Sequence, residues 1–124
     1  MRANILFALA ASLLLTYASP VHPKRKDRCI TMALYQDNDC QIPVPGTGNT
    51  TVNAGTCDTN VKTGWLSAII IANNELDLDP KWPHGPEFYE RNNCAVGQKR
   101  HGYSGKMGPC LRNFGFVANA VGLW

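Results

Sequence analysis

Five cysteines, Cys29, Cys40, Cys57, Cys94 and Cys110, constrain this chain more than any other feature, because all of them follow a segment that reads as an export signal. Met1 to Ala18 carries one charge, Arg2, then an apolar run from Ile5 to Leu15 broken only by Ser12, and ends in the small-residue exit Thr16-Tyr17-Ala18. This is the layout of a cleaved signal peptide, residues 1–18, and the run falls short of the ~20 apolar residues that a membrane-spanning helix needs. The expectation is a secreted, extracellular protein without stable membrane insertion. Exported thiols meet an oxidising environment and pair. None of the five forms a CxxC and no Cys/His spacing matches a zinc site, so disulfides are expected and no metal or other cofactor is.

Ser19-Pro20-Val21-His22-Pro23 leads into Lys24-Arg25-Lys26. Residues 19–26 read as a pro-segment ending in a dibasic processing site at Lys24 and Arg25, with a solvated basic tail as the alternative. The leader and this strip together hold 4 of the 12 basic residues and none of the 9 acidic ones, so the domain from Asp27 onward has a net charge of −1. The basic pI belongs to the precursor, and it lends no support to nucleic-acid binding. Residues 27–124 form one cysteine-rich domain of a size at which a single core gives marginal stability and covalent staples are expected.

Within that domain the chain repeats itself. Tyr35-Gln36-Asp37-Asn38-Asp39-Cys40 matches Tyr89-Glu90-Arg91-Asn92-Asn93-Cys94 in Tyr, Asn and Cys at a constant offset of 54. Gly55-Thr56-Cys57 answers Gly108-Pro109-Cys110 at an offset of 53, and an apolar stretch follows each. The halves run over about 29–75 and 84–124. Five cysteines leave one unpaired and several patterns open. The repeat favours Cys40 with Cys57 and Cys94 with Cys110, with Cys29 unpaired or in an intermolecular bond. The loops of 17 and 16 residues would each stabilise the fold by about 3 kcal/mol.

Each half reads as strand, turn, cysteine, glycine-rich loop, cysteine, strand. Ile30, Met32 and Leu34 alternate with Thr31, Ala33 and Tyr35, the period of a half-buried strand, and Asp37-Asn38-Asp39 supplies a turn. Residues 43–49 read as a loop. Trp65 to Ile71 is rich in β-branched residues and predicts a core strand, with a short helix running on to Leu78 as the alternative. Residues 77–86, with three prolines and a glycine, read as an irregular seam and not a central strand. The uncharged stretch from Phe114 to Trp124 is expected to dock into the core. The expected fold is mostly β, a small disulfide-stapled β-sandwich built from two similar halves.

The recurring Tyr-x4-Cys turn in two halves resembles small cysteine-rich secreted proteins of fungi with a crystallin-like or killer-toxin-like β-sandwich. The second half departs from that pattern, having no evident counterpart to the alternating strand at Ile30–Leu34. Many proteins of this type are effectors of plant-associated fungi, so the resemblance implies a host-facing role. Calcium-binding crystallin-like domains carry a Ser shortly after their paired Asn or Asp, and neither Asp37-Asn38-Asp39 nor Asn92-Asn93 has it. The resemblance therefore implies no calcium, and these side chains are read as turn-formers.

No catalytic motif surrounds His84 or His101, and Asp77, Asp79, Glu87 and Glu90 are read as exposed acids, so the protein is expected not to be an enzyme. Lys99, Arg100, His101 and Lys106 make the second cysteine loop locally basic, and Trp82 and Tyr103 are the aromatic candidates for a binding surface beside them. Asn49-Thr50-Thr51 is a glycosylation sequon, placed in a loop. These readings together predict a secreted effector that binds a host or extracellular protein or glycan during colonisation. The alternative is a secreted toxin or antimicrobial protein.

Overall fold

A computed structural model describes residues 28–46, 48–61, 63–74 and 84–124. The signal-peptide and pro-segment readings, Lys24, Arg25, Asp77, Asp79 and Trp82 lie outside the described residues. Eight strands follow in chain order: β1 Cys29–Tyr35, β2 Asn49–Asn53, β3 Cys57–Asp58, β4 Ser67–Asn73, β5 Pro86–Tyr89, β6 Arg100–Gly102, β7 Cys110–Leu111 and β8 Ala120–Leu123. They form two four-stranded antiparallel sheets, ordered β2-β1-β4-β7 and β3-β8-β5-β6. The fold is the mostly β, disulfide-stapled sandwich expected from the sequence. Ser67–Asn73 is a strand and not a helix, and no helix among the described residues is long and apolar enough to cross a membrane.

The two halves have the same topology. In each, the first strand lies between the second and the fourth, while the third leaves for the other sheet: β3 pairs with β8, and β7 pairs with β4. Each half is thus a four-stranded antiparallel unit with its third strand donated across the sandwich. The registers repeat residue for residue, since Cys110 faces Ile69 on β4 where Cys57 faces Gly122 on β8, at the offset of 53 seen in the sequence. Gly55 and Gly108 also repeat, with N–H groups on Leu123 O (2.7 Å) and Ile70 O (3.2 Å). Their φ values of 79° and 105° are left-handed, a conformation that glycine reaches without steric cost.

This exchange corrects the cysteine pairing favoured by the repeat. The bonds are Cys40–Cys110 and Cys57–Cys94, with Cα separations of 6.0 and 5.9 Å, so both join one half to the other. The repeat required only that the two bonds be equivalent. The donated strands carry Cys57 and Cys110 into the opposite half, so each lies beside the turn cysteine there and not beside its own. Their spans of 70 and 37 residues are much longer than those expected, and either bond alone would stabilise by about 4 kcal/mol in the chain-entropy model. Cys29 carries a free thiol, half-buried at the start of β1.

Three other boundaries differ from the sequence reading. Pro86 begins β5, which lies between β8 and β6; a proline is tolerated as the first residue of a strand because its missing N–H is not yet needed. This short β5 is the counterpart of β1 in the second half, where the sequence shows no evident alternation. Asn49 opens β2 and does not belong to the preceding loop, so the sequon lies at the start of an edge strand. Each half also has four strands where two were read.

The core closes between the sheets. Ile30, Met32 and Leu34 point inward from β1, Ile70 from β4, Phe88 from β5, and Val121 and Leu123 from β8, all at most 2% exposed. Phe88 is central: it stacks on Phe114 at 4.5 Å and meets Trp65 and Tyr103 edge-on at 6.1 and 5.9 Å. Offset and edge-to-face pairs of this kind contribute ~1 kcal/mol each beyond the area they bury. Phe114, Ala118, Val121 and Leu123 thus place part of the stretch from Phe114 to Trp124 in the core, while Val117 and Trp124 are 50% and 48% exposed.

Candidate functional site

The recurring Tyr-x-x-Asn-x-Cys signature resolves into a clasp between the halves. Asn38 accepts from Asn113 N–H at 2.9 Å and donates through its amide to Asn113 Oδ1 at 2.7 Å. Asn92, with its amide oriented to suit its neighbours, donates to Thr59 O and Asn119 O. Cys40 N–H donates to Ser67 Oγ at 3.1 Å, and the Ser67 hydroxyl, fully buried, donates to Asp37 O at 2.6 Å. The Asp37 carboxylate accepts from the N–H groups of Ile42 (2.9 Å), Gln41 (3.0 Å) and Asp39 (3.2 Å). The Ile42 bond is the largest influence holding this carboxyl below its ordinary 3.8, against a smaller opposing effect of desolvation. The turn residues are therefore engaged by the protein itself. Among the described residues, no group of three or more His, Cys, Asp or Glu side chains converges as a metal site would require.

The candidate binding residues gather at the β5–β6 hairpin. Its loop is stapled by Gln98, which accepts from Arg91 N–H at 2.6 Å and donates to Asn93 Oδ1 at 2.7 Å and Ala95 O at 2.9 Å. The tip residue Val96 is 78% exposed. Beyond it Lys99, Arg100 and His101 are all exposed, the last two on β6, which pairs with β5 on one side and forms the sheet edge on the other. His101 lies parallel to Tyr103 at 4.6 Å, and the Tyr103 hydroxyl donates to Arg112 O. Burial raises the Tyr103 phenol above its ordinary value, so it remains a neutral donor. An exposed edge with two cations, Lys99 and Arg100, and a stacked imidazole results. It suits an acidic or hydroxyl-rich partner better than a hydrophobic one, and its charge also blocks edge-to-edge pairing.

The other basic candidates of this region do not join that edge. Arg112 is committed to Asp39 at 2.7 Å, across the seam between the halves. Lys106 is exposed three residues beyond Tyr103. His84 is exposed, and its carbonyl packs close against Gly105. Asn49 is exposed, while Thr50 donates to Asp58 across the sandwich at 2.5 Å and Thr51 shares a hydroxyl bond of 2.9 Å with Thr31.

Sequence reasoning passed over a second cluster, on the outer face of the same sheet. Pro86 and Phe88 point inward, so Glu87 and Tyr89 point outward, opposite Gly122 and Ala120 on β8. Trp124, two residues beyond Gly122, emerges on that face. Its indole N–H donates to Tyr89 Oη at 2.9 Å; the Tyr89 hydroxyl donates to Glu87 Oε1 at 2.5 Å; and Arg100 Nε lies 3.7 Å from Glu87 Oε2. Burial, and then the hydrogen bond to Glu87, push the Tyr89 phenol above 10. The alternation about Phe88 was the available signal for Glu87 and Tyr89. The approach of Trp124, 35 residues away, had none.

No family model, curated protein or solved structure matches this chain.

Proposed function

We propose that this protein is a non-enzymatic, secreted recognition protein of the effector type, acting outside the cell that makes it by binding a host or extracellular protein or glycan. The observation that carries this reading is the exposed basic edge formed by Lys99 and Arg100 with His101 beside them, next to a loop that Gln98 staples and with the His101 ring stacked on Tyr103. A stapled loop and a stacked ring lose little freedom on binding, so more of the interaction energy appears as affinity. Two disulfides joining the halves are consistent with an extracellular protein.

The test is genetic complementation in the producing organism. Deletion should reduce colonisation of a host while leaving axenic growth intact, and a gene carrying Lys99→Glu with Arg100→Glu should fail to restore it. Restoration by that variant would overturn the reading. The toxin alternative draws on the same edge together with exposed Val96 at its tip. Dye release from anionic liposomes, or growth inhibition of a competing microbe, by the purified protein would favour it.

A further inference from the structure

The outer face of the β3-β8-β5-β6 sheet presents one exposed indole, that of Trp124, with a polar rim. The strands on either side of β5 offer small residues on that face, Ala120 and Gly122 on β8 and Gly102 on β6, the latter two in register with Glu87. Trp124 lies directly on this floor, since a Cβ on Gly122 would fall 2.5–2.9 Å from the indole atoms Cζ2, Cε2 and Nε1. The residue is nevertheless 48% exposed. The ring is tied down at Nε1 by Tyr89, which is itself 2% exposed although it sits on the outward face of the sheet. Glu87 and Arg100 flank it with side chains 26% and 48% exposed.

From this arrangement we infer that the Trp124 face is a saccharide-binding subsite: a pyranose ring stacks its C–H face on the indole while two neighbouring hydroxyls bind Glu87 and Arg100. The inference rests on the reading of the molecule as a recognition protein and names the chemistry of one ligand. A sugar diol must both donate and accept. The Glu87 carboxylate has acceptor positions beyond the one given to Tyr89, and the exposed Arg100 guanidinium has several donors. The Tyr89 hydroxyl links indole and carboxylate through two consecutive hydrogen bonds, which brings both within the span of one sugar ring. The indole is fixed before binding, so stacking on it orders no loose side chain. A protein partner is less well served, because specific protein interfaces bury roughly 800 Å² per side around several apolar anchors, and the floor around the single ring is Gly102, Ala120 and Gly122.

The experiment is a titration of the oxidised, ¹⁵N-labelled protein with hexasaccharides of β-1,4-glucose, β-1,3-glucose, N-acetylglucosamine, xylose and mannose, followed through the tryptophan indole N–H signals. At least one series should shift the Trp124 signal saturably and leave the buried Trp65 signal in place. Trp124→Ala should weaken that binding at least about tenfold, the equivalent of ~1.4 kcal/mol, with both disulfides and the far-ultraviolet dichroism unchanged. Arg100→Ala, a change at an exposed edge, should also weaken it and serves if the tryptophan variant does not fold. A Trp124 signal unmoved by every hexasaccharide at millimolar concentration, or binding undiminished in both variants, overturns the inference. Loss of colonisation in the Lys99/Arg100 variant alongside a silent titration would remove the saccharide and leave the effector reading standing. Saccharide binding without a colonisation defect would do the opposite.

Discussion

Trp65 and Ala118 exchange both of their backbone hydrogen bonds, Trp65 N–H to Ala118 O at 3.1 Å and Ala118 N–H to Trp65 O at 2.9 Å. They are separated by 53 residues, the offset of the internal repeat, so each is bonded to its own equivalent in the other half. A position paired with its own copy lies on the axis that exchanges the halves. Bonds away from that axis must come in pairs: Leu66 N–H to Tyr35 O recurs as Asn119 N–H to Tyr89 O, both at 2.9 Å. The two disulfides are one such pair.

Peptide mapping under non-reducing conditions should recover Cys40 linked to Cys110 and Cys57 linked to Cys94, with Cys29 alkylated. Replacing either pair by alanine should lower stability by about 2–5 kcal/mol, read from urea unfolding. Recovery of Cys40 with Cys57 would contradict the strand exchange.

The asparagines at 38 and 92 hold the turns against the opposite half. Asn38→Ala removes two hydrogen bonds from an exposed site and should reduce stability by about 1–2 kcal/mol, with an unchanged dependence on urea. Asn92→Ala should act in the same direction. The double variant should be close to additive, because the two residues share no partner.

Acid should weaken the first turn. The Asp37 carboxyl titrates below its ordinary 3.8 in the fold because Ile42, Gln41 and Asp39 donate to it. Its contribution is therefore complete above that value and is lost as the pH falls through the depressed one. Asp37→Ala should be less stable than the parent at neutral pH, and the difference should shrink in thermal melts carried towards pH 2.

Gly105 is buried where two segments cross. An added methyl group would lie 2.2 Å from His84 O and 2.4 Å from Asn73 Nδ2, whose bond to Gly105 O is 2.9 Å long. One of these neighbours is backbone and cannot rotate away. Gly105→Ala should cost about 1–3 kcal/mol in urea unfolding and Gly102→Ala much less, since an added methyl group there comes no nearer than 4.0 Å to Pro86 O.

The parts of the fold legible in the sequence are those in which one strand carries its own pattern. Ile30, Met32 and Leu34 alternate over a strand long enough to show the period, and the strand read from Trp65 to Ile71 overlaps β4. The four strands that escaped notice, β2, β3, β6 and β7, have two to five residues and mostly polar or exposed side chains. Cys57–Asp58 is extended because Val121 and Gly122 lie beside it, not because Cys and Asp favour strands. The basic candidates at 99–101 do share one edge. Arg112, also basic and nearby in the sequence, is drawn away by an aspartate 73 positions earlier.

The amino-acid order was sufficient to establish a repeat at an offset of 53 to 54, an alternating first strand and a mostly β domain held by disulfides, because each is a local pattern or a count of residue types. Which cysteine meets which, and which residues surround Trp124, was decided by the tertiary fold alone. Both depend on strands that leave their own half to pair with the other. Two equivalent halves satisfy the same sequence symmetry whether their bonds close within each half or between them, and only the exchange of β3 and β7 selects between the two.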